Sequence, residues 1–309
     1  MEIRHLLHAQ IDMERWNQTV TASRGSNLYA LSWYLDAVSP GWQALATPDY
    51  SCVMPLTARK RFGVPYLCQP LLSQQSGILS VQPVSGDQVA AFLEAIPSSF
   101  RLIEITLGEH NPVAENPAFN QHTTLRLDLS HSYEGLSGAY SENTRRNLKK
   151  AAAESLTYEE GIPIGAFLDL LRQDSSAGSR ILIRKDNRKT LLRLIIAILG
   201  HNAGGIFGIR STDGTLICAV LFARHQGMHY YLAPGSLEAG RDARAMFYLI
   251  DRYIHQNSGT QSCLDFEGSD IPTVARFYAG FGAREHHYPS YRVNRLPWLL
   301  KKWADRRIQ

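Results

Sequence analysis

The chain has 309 residues, 44% hydrophobic and 19% charged, with a net charge of +4. That is the make-up of an ordinary folded chain with material for one large core or two domains, and so small a charge argues against a DNA binder held by bulk electrostatics. No apolar run approaches a membrane span, "MEIRHLLHAQIDMERW" lacks the apolar stretch of a signal peptide, and the four cysteines (52, 68, 218, 263) form no C-x-x-C pair. Free thiols in a reducing cytoplasm are therefore expected, with no metal site.

In chain order, "SNLYALSWYLDAV" spaces Leu28, Leu31, Leu35 and Val38 as one helix capped by Asn27. "WQALATPDYSCVMPLTARKRFGVPYLCQPLL" reads as strands broken by Pro and Gly, with Arg59-Lys60-Arg61 as a basic turn. A helix, "DQVAAFLEAI", and strands at "RLIEITL" and "HTTLRLDLS" complete the first half. The second half opens with helical stretches at "SENTRRNLKKAAAES" and "NRKTLLRLIIAILGHN". A meander follows: "GIFGIR", "TLICAVLFAR" and "MHYYLAP", with Asp213-Gly214 as a hairpin signal. The helix "RDARAMFYLIDRYIHQ" sets Met246, Leu249, Ile250 and Tyr253 on one face. The strand "SCLDFEG" and the helix "IPTVARFYAG" end the pattern. The order predicts a mixed α/β layer with a crossover helix between neighbouring strands, and a crevice where strand ends open, near 265–269.

This order over 165–285 resembles the GNAT fold of acyl-CoA N-acyltransferases, whose last motif is matched by Val274, Ala275, Phe277, Tyr278 and Gly282 in "VARFYAGFGA"; Ala283 replaces the family's Phe. Two such units, with "YSENTRRNLKKA" opening the second, are similar to the Fem-type aminoacyltransferases of cell-wall synthesis. The resemblance covers nearly the whole chain. It implies an α/β (α+β) fold of two tandem GNAT-like units, each a mixed, mostly antiparallel sheet flanked by helices. Units are expected at 1–130 and 131–290, with a basic tail at 291–309. The first has only Glu104 in its matching strand and no tyrosine helix after it, so it would shape a substrate groove and do no chemistry.

The implied activity is transfer of an acyl or aminoacyl group, from a thioester or a tRNA ester, to an amine on a cell-wall or lipid-linked acceptor of the bacterial envelope. The alternative is a non-catalytic protein of the same fold that holds an anionic or lipid-linked ligand. No tightly bound cofactor is implied; acyl-CoA or aminoacyl-tRNA would be co-substrate, and tRNA a partner.

Asp265 and Glu267 stand at i and i+2 and so share a face if "SCLDFEG" is a strand. Two carboxylates that close raise one another's pKa, which suits a general base; equally, they are salt-bridged strand-end acids. Ser269 or Asp270 before Pro272 would cap the next helix. Tyr278, by the resemblance, protonates the leaving group; otherwise it is a core aromatic. Arg145, Arg146, Lys149 and Lys150 repel one another at i,i+4 and invite a phosphate or carboxylate. Otherwise they are a solvated face paired with Glu142 and Glu154. Ser269 and Arg276 complete the substrate-binding candidates. "GSLEAGRDARAMF" occupies the family's pyrophosphate loop, with Gly240, Arg241 and Arg244 as cofactor-binding candidates; Leu237 and Asp242 depart from its pattern. The tail "NRLPWLLKKWADRRIQ" lies on an anionic inner-membrane face or docks on its domain.

Overall fold

The computed structural model describes residues 1–61, 63–268 and 270–297; within them no helix is long and apolar enough to cross a membrane. The chain divides into two compact units, unit 1 being Met1–His122 with the chain from His287 onward and unit 2 being Thr123–His286.

Unit 1 contains β1 (Arg4–Leu6), α1 (Met13–Ala22), α2 (Ser32–Val38), β2 (Gln43–Ala46), β3 (Cys52–Leu56), β4 (Ala58–Arg61), β5 (Val64–Cys68), β6 (Leu79–Ser80), α3 (Gly86–Glu94) and β7 (Leu102–Thr106). Its helices start where polar side chains satisfy the first free N–H groups. Asp12 accepts from the Arg15 N–H, and Ser85 with Gln88 forms a reciprocal capping box on α3. The helix expected over 27–38 is broken: Asn27 caps a 3₁₀ turn at Leu28–Ala30, Leu31 is extended, and only then does α2 begin. The expected basic turn is a strand, because Arg59, Lys60 and Arg61 pair with Tyr66, Pro65 and Val64 across a tight hairpin.

β8 (Phe119–Asp128) leads into unit 2, which holds α4 (Tyr133–Gly138), α5 (Glu142–Ala152), β9 (Thr157–Glu160), α6 (Ile164–Gln173), α7 (Ala177–Leu182) and α8 (Lys185–Gly200). The meander β10 (Gly204–Arg210), β11 (Leu216–His225) and β12 (Met228–Ser236) follows, then α9 (Glu238–Asp242), α10 (Ala245–Asn257), β13 (Cys263–Asp265) and α11 (Pro272–Ala279). The last strand, β14 (Arg284–Asn294), returns to unit 1, where Ser290–Asn294 pair with β7. The helix expected from Arg241 is split into α9 and α10, because Arg244 adopts a left-handed φ of 58°.

In unit 2 the strand order is β8-β13-β12-β11-β10-β9, antiparallel throughout except for β12 beside β13. In unit 1, β5 runs parallel to β7, and β7 antiparallel to β14. Each unit therefore centres on a short strand with a parallel neighbour on one side and an antiparallel one on the other. A helix lies in the connection between the parallel pair, as a parallel crossover requires: α3 in unit 1, α10 in unit 2. Each unit has its own apolar core, around Phe92, Ile103 and Ile105 in unit 1 and around Phe222, Tyr253 and Phe266 in unit 2. The Phe222 and Tyr253 rings stack at 3.7 Å.

Candidate functional site

β12 and β13 stay paired for only three residues, from Met228 opposite Cys263 to Tyr230 opposite Asp265. β12 runs on to Ser236, and its register on β11 slips beside Phe222, where Leu221 opposes Ala233 and Phe222 opposes Tyr231. A bulge of this kind bends a strand and twists it away from its neighbour. The chain after Asp265 and the strand after Tyr230 thus diverge.

At the parting point Asp265 is buried and fully engaged. Thr124 Oγ1 donates to its Oδ1 at 2.6 Å, Arg126 Nε to its Oδ2 at 2.7 Å, and the Glu267 N–H to its Oδ1 at 3.0 Å. Arg126 lies directly opposite in the β8 register. The last bond closes a turn in which Glu267 and Gly268 have left-handed φ values of 50° and 60°. Hence the expectation that Asp265 and Glu267 share one strand face fails: the strand stops at Asp265, and its carboxylate holds the turn that redirects Glu267. Asp270 does not cap α11 either. Its carboxylate accepts from the Thr123 N–H, and α11 starts at Ile271 and Pro272 with no side-chain cap.

α11 carries Tyr278 into the crevice wall. Its ring stacks on Phe266 at 4.6 Å and meets the ring of Tyr231, the first residue of β12 beyond the pairing, edge-on at 5.6 Å. The Tyr231 hydroxyl also donates toward the Met246 sulfur on α10 at 3.1 Å. Burial first, then the Glu267 charge, pushes the Tyr278 phenol above its ordinary range, while the Tyr231 hydroxyl opposes the shift. The Glu267 charge is thus felt at the Tyr278 phenol, and Tyr231 and Met246 line the wall around that ring. The sequence held no signal for these two, since only the bulge aims Tyr231 at Tyr278.

The basic stretch forms α5, capped by Ser141, and Arg145, Arg146, Lys149 and Lys150 are all exposed. The expected pairing with Glu142 and Glu154 is absent: Arg145 reaches the Gly138 carbonyl and Arg146 the Asn143 side chain, and no ion pair involves the four cations among the described residues. The helix is tied to α11 by the Ser141 N–H, which donates to the Gly280 carbonyl at 2.8 Å. Contact is so close that a Cβ on Gly280 would sit 2.6 Å from Thr144 Oγ1. Arg276 is exposed on the last turn of α11. Ser269, and the tail from Trp298 on, lie outside the described residues.

The loop expected to hold a diphosphate is filled by α9. Gly240 is buried against β11, where an added Cβ would meet the Ile217 carbonyl oxygen at 2.3 Å. Arg241 turns inward to the buried Asp174, 3.1 Å away. Arg244 donates to the Arg241 carbonyl at 2.6 Å, and its Nε is buried without a partner among the described residues. Asp174, missed in the sequence, also accepts from the N–H groups of Ser176 and Ser236 and the hydroxyl of Ser179, which hold its carboxyl below the usual range against the opposing effect of burial. The Asp-Ser-Ser run of 174–176 is a helix-start signal that could have found it. In unit 1, cavities of ≈ 170 Å³ (lined by Arg24, His110 and Asn111 among others) and ≈ 480 Å³ contain none of the predicted residues.

No family model matches the chain, and no curated protein matches it. Solved structures do. The crystal structure of FemX superposes with a TM-score of 0.66 at 13% identity, covering 100% of both chains. A tandem GNAT protein from the clavulanic acid biosynthesis pathway gives 0.55 at 11%, over 96% of this chain and 99% of that one. L-PGS from Bacillus licheniformis gives 0.54 at 12%, over 96% of each. Identities this low speak for the fold: the chain has a tandem GNAT-like fold, similar over its full length to FemX.

Proposed function

We propose that this protein transfers an aminoacyl or acyl group from an ester to an amine in the crevice where β12 and β13 part. The amine nitrogen attacks the carbonyl carbon, Glu267 accepts the proton that the nitrogen loses, and Tyr278 donates a proton to the departing oxygen. The observation that carries this reading is the left-handed turn that sets Glu267 between the end of β13 and the helix of the buried Tyr278. A side chain in that conformation costs on the order of 1 kcal/mol that glycine would avoid, and such strain gathers at sites where the side chain is needed. Asp265 is then a positioning residue, because it holds the Glu267 N–H.

A phenol in the place of Tyr278 can serve as general acid to a departing alkoxide or thiolate. The case for an ester donor is the packed Gly240 and the inward Arg241, which leave no room for a coenzyme A diphosphate in that loop. Aminoacyl-tRNA is the donor that fits, with α5 offering Arg145, Arg146, Lys149 and Lys150 to an anionic donor or acceptor. The fold shared with FemX, L-PGS and a tandem GNAT protein supports a transferase in general terms.

The test offers acetyl-CoA and charged tRNA separately to the purified chain with a panel of amine acceptors. Transfer from charged tRNA that disappears with Tyr278→Phe supports the reading. Transfer from acetyl-CoA alone would overturn the ester preference. Binding of an anionic ligand with no transfer from either donor would favour the non-catalytic alternative, which the full burial of the Phe266 ring in the crevice wall also suits.

A further inference from the structure

α7 and α8 present a surface unlike the rest of unit 2. Between Ser175 and Gly200 the chain carries six cations, at Arg180, Arg184, Lys185, Arg188, Lys189 and Arg193, against a single carboxylate, Asp186. All six are exposed, and no ion pair joins Arg180, Arg184, Lys185, Arg188 or Lys189 among the described residues. α8 buries Leu191, Leu194, Ile195 and Ile198. At 3.6 residues per turn, Lys185, Lys189 and Arg193 fall on the opposite face, and Arg188 on its flank.

The outward face does not stay polar along its length. Ile196 and Leu199 continue it through the last two turns at 56% and 40% exposure, and Ile181 on α7 is 45% exposed. A solvated helix face has no use for exposed branched aliphatics beside unpaired cations. A helix lying in a charged interface has use for both, with cations at headgroup level and aliphatic side chains in the acyl boundary.

We propose that the outward face of α7 and α8 is a docking surface for an anionic lipid bilayer. Charge complementarity names the partner's sign, and the aliphatic end separates a bilayer from a nucleic acid. A single strand of RNA is held by cations together with flat side chains that stack on bases, and this face has no aromatic residue between Ser175 and Gly200. The surface is also coupled to the crevice wall. Asp174, which accepts from Ser176 and Ser179 at the start of α7, binds the Ser236 N–H at the end of β12 and Arg241 on α9 as well. This site is distinct from the C-terminal tail in which the sequence suggested a membrane contact, and it stands without the transfer reading.

The experiment is co-sedimentation of the full chain with vesicles of phosphatidylcholine, with and without phosphatidylglycerol. Two double variants accompany it, Arg188→Glu with Lys189→Glu, and Ile196→Ser with Leu199→Ser; all four positions are exposed, and circular dichroism checks the fold. Wild type should bind the phosphatidylglycerol vesicles and leave the neutral ones. Each cation near such a surface is worth roughly fivefold in partitioning, so the charge-reversed pair should lose at least about 25-fold. The serine pair should lose about tenfold, since its apolar contact is partial. Equal binding to neutral vesicles, or binding that survives both variants, overturns the proposal. So does a chain that ignores vesicles but binds tRNA with the charge reversal alone mattering, since the face would then be an RNA surface. Transfer to a soluble amine should be unchanged in both variants, which separates a failure here from a failure of the transfer reading.

Discussion

β7 in unit 1 and β13 in unit 2 occupy the same place in their sheets and end differently. Each has a parallel neighbour on one side and an antiparallel one on the other, and each places an acid opposite an arginine: Glu104 faces Arg292, and Asp265 faces Arg126. Counting on from those acids, Thr106 stands where unit 2 has Glu267. Thr106 lies in the strand, and its hydroxyl donates to the Gln74 carbonyl at 2.6 Å. Beyond it no helix follows. The Asn111 side chain fills the space, accepting from the N–H groups of Ile78 and Gly108 and donating to the Ile78 carbonyl. In unit 2 the chain instead leaves the strand through a left-handed turn into the helix that carries Tyr278. The same sheet plan thus supports a closed polar plug in one unit and, in the other, a strained carboxylate at the strand end followed by a tyrosine helix. The difference lies in two or three residues after the strand.

The comparison breaks most visibly through rate. Glu267→Gln and Tyr278→Phe should each reduce turnover by roughly 10² to 10⁴, the range of general acid–base catalysis, while melting temperature moves little. An unchanged rate with a lowered melting point would make Glu267 a structural acid, the counterpart of Thr106. Asp265→Ala should act the other way round in kind. Removing one partner of a buried ion pair costs about 3–5 kcal/mol, read as a fall in the denaturation midpoint. Full stability with lost activity would move Asp265 from positioning to chemistry.

Asn111→Ala tests the plug in unit 1. It strips the bonds of two N–H groups and a carbonyl, and each buried group left unsatisfied costs about 1–3 kcal/mol. Turnover per folded molecule should hold, since unit 1 is expected to do no chemistry. A sharper probe is Glu267→Gly, which should gain about 1 kcal/mol by relieving the left-handed strain while abolishing transfer. A loss of stability would show that the Glu267 side chain is tied into the fold.

The smallest effect concerns Glu104. Burial raises its carboxyl, with Arg292 opposing. A folded pKa above the unfolded one contributes stability that is fully present below the unfolded pKa and lost as pH rises through the folded value. Glu104→Gln should therefore flatten the stability curve just above the ordinary glutamate range and leave the protein slightly more stable at neutral pH. The group is only half buried, so solvent screening keeps the change small. A steeper curve in the variant would contradict this.

Much of the frame was legible in the residues. β10, β11 and β12 follow from alternation and the Asp213-Gly214 turn, and α8 from its 3.6 period. Among the helices not foreseen, α7 has a local start signal in Asp174-Ser175-Ser176, while α6 begins after Pro163 with no side-chain cap. The break at Arg244 was invisible, because a left-handed arginine has no local signature. The basic run at 59–61 looked like a turn because exposed edge strands and turns share a polar composition.

The sequence by itself determined most of the second half's element order and the residues that could carry a proton or a charge, because periodicity, caps and turn chemistry act over a few neighbours. Only the tertiary structure decided which of those residues meet. Asp265 became a clamp because Thr124 and Arg126, far away in the chain, converge on it across β8. The Glu267 backbone is held by that clamp in a left-handed turn, and Tyr231 meets Tyr278 just past a bulge on another strand. Such meetings depend on register and twist, which no short stretch of residues encodes.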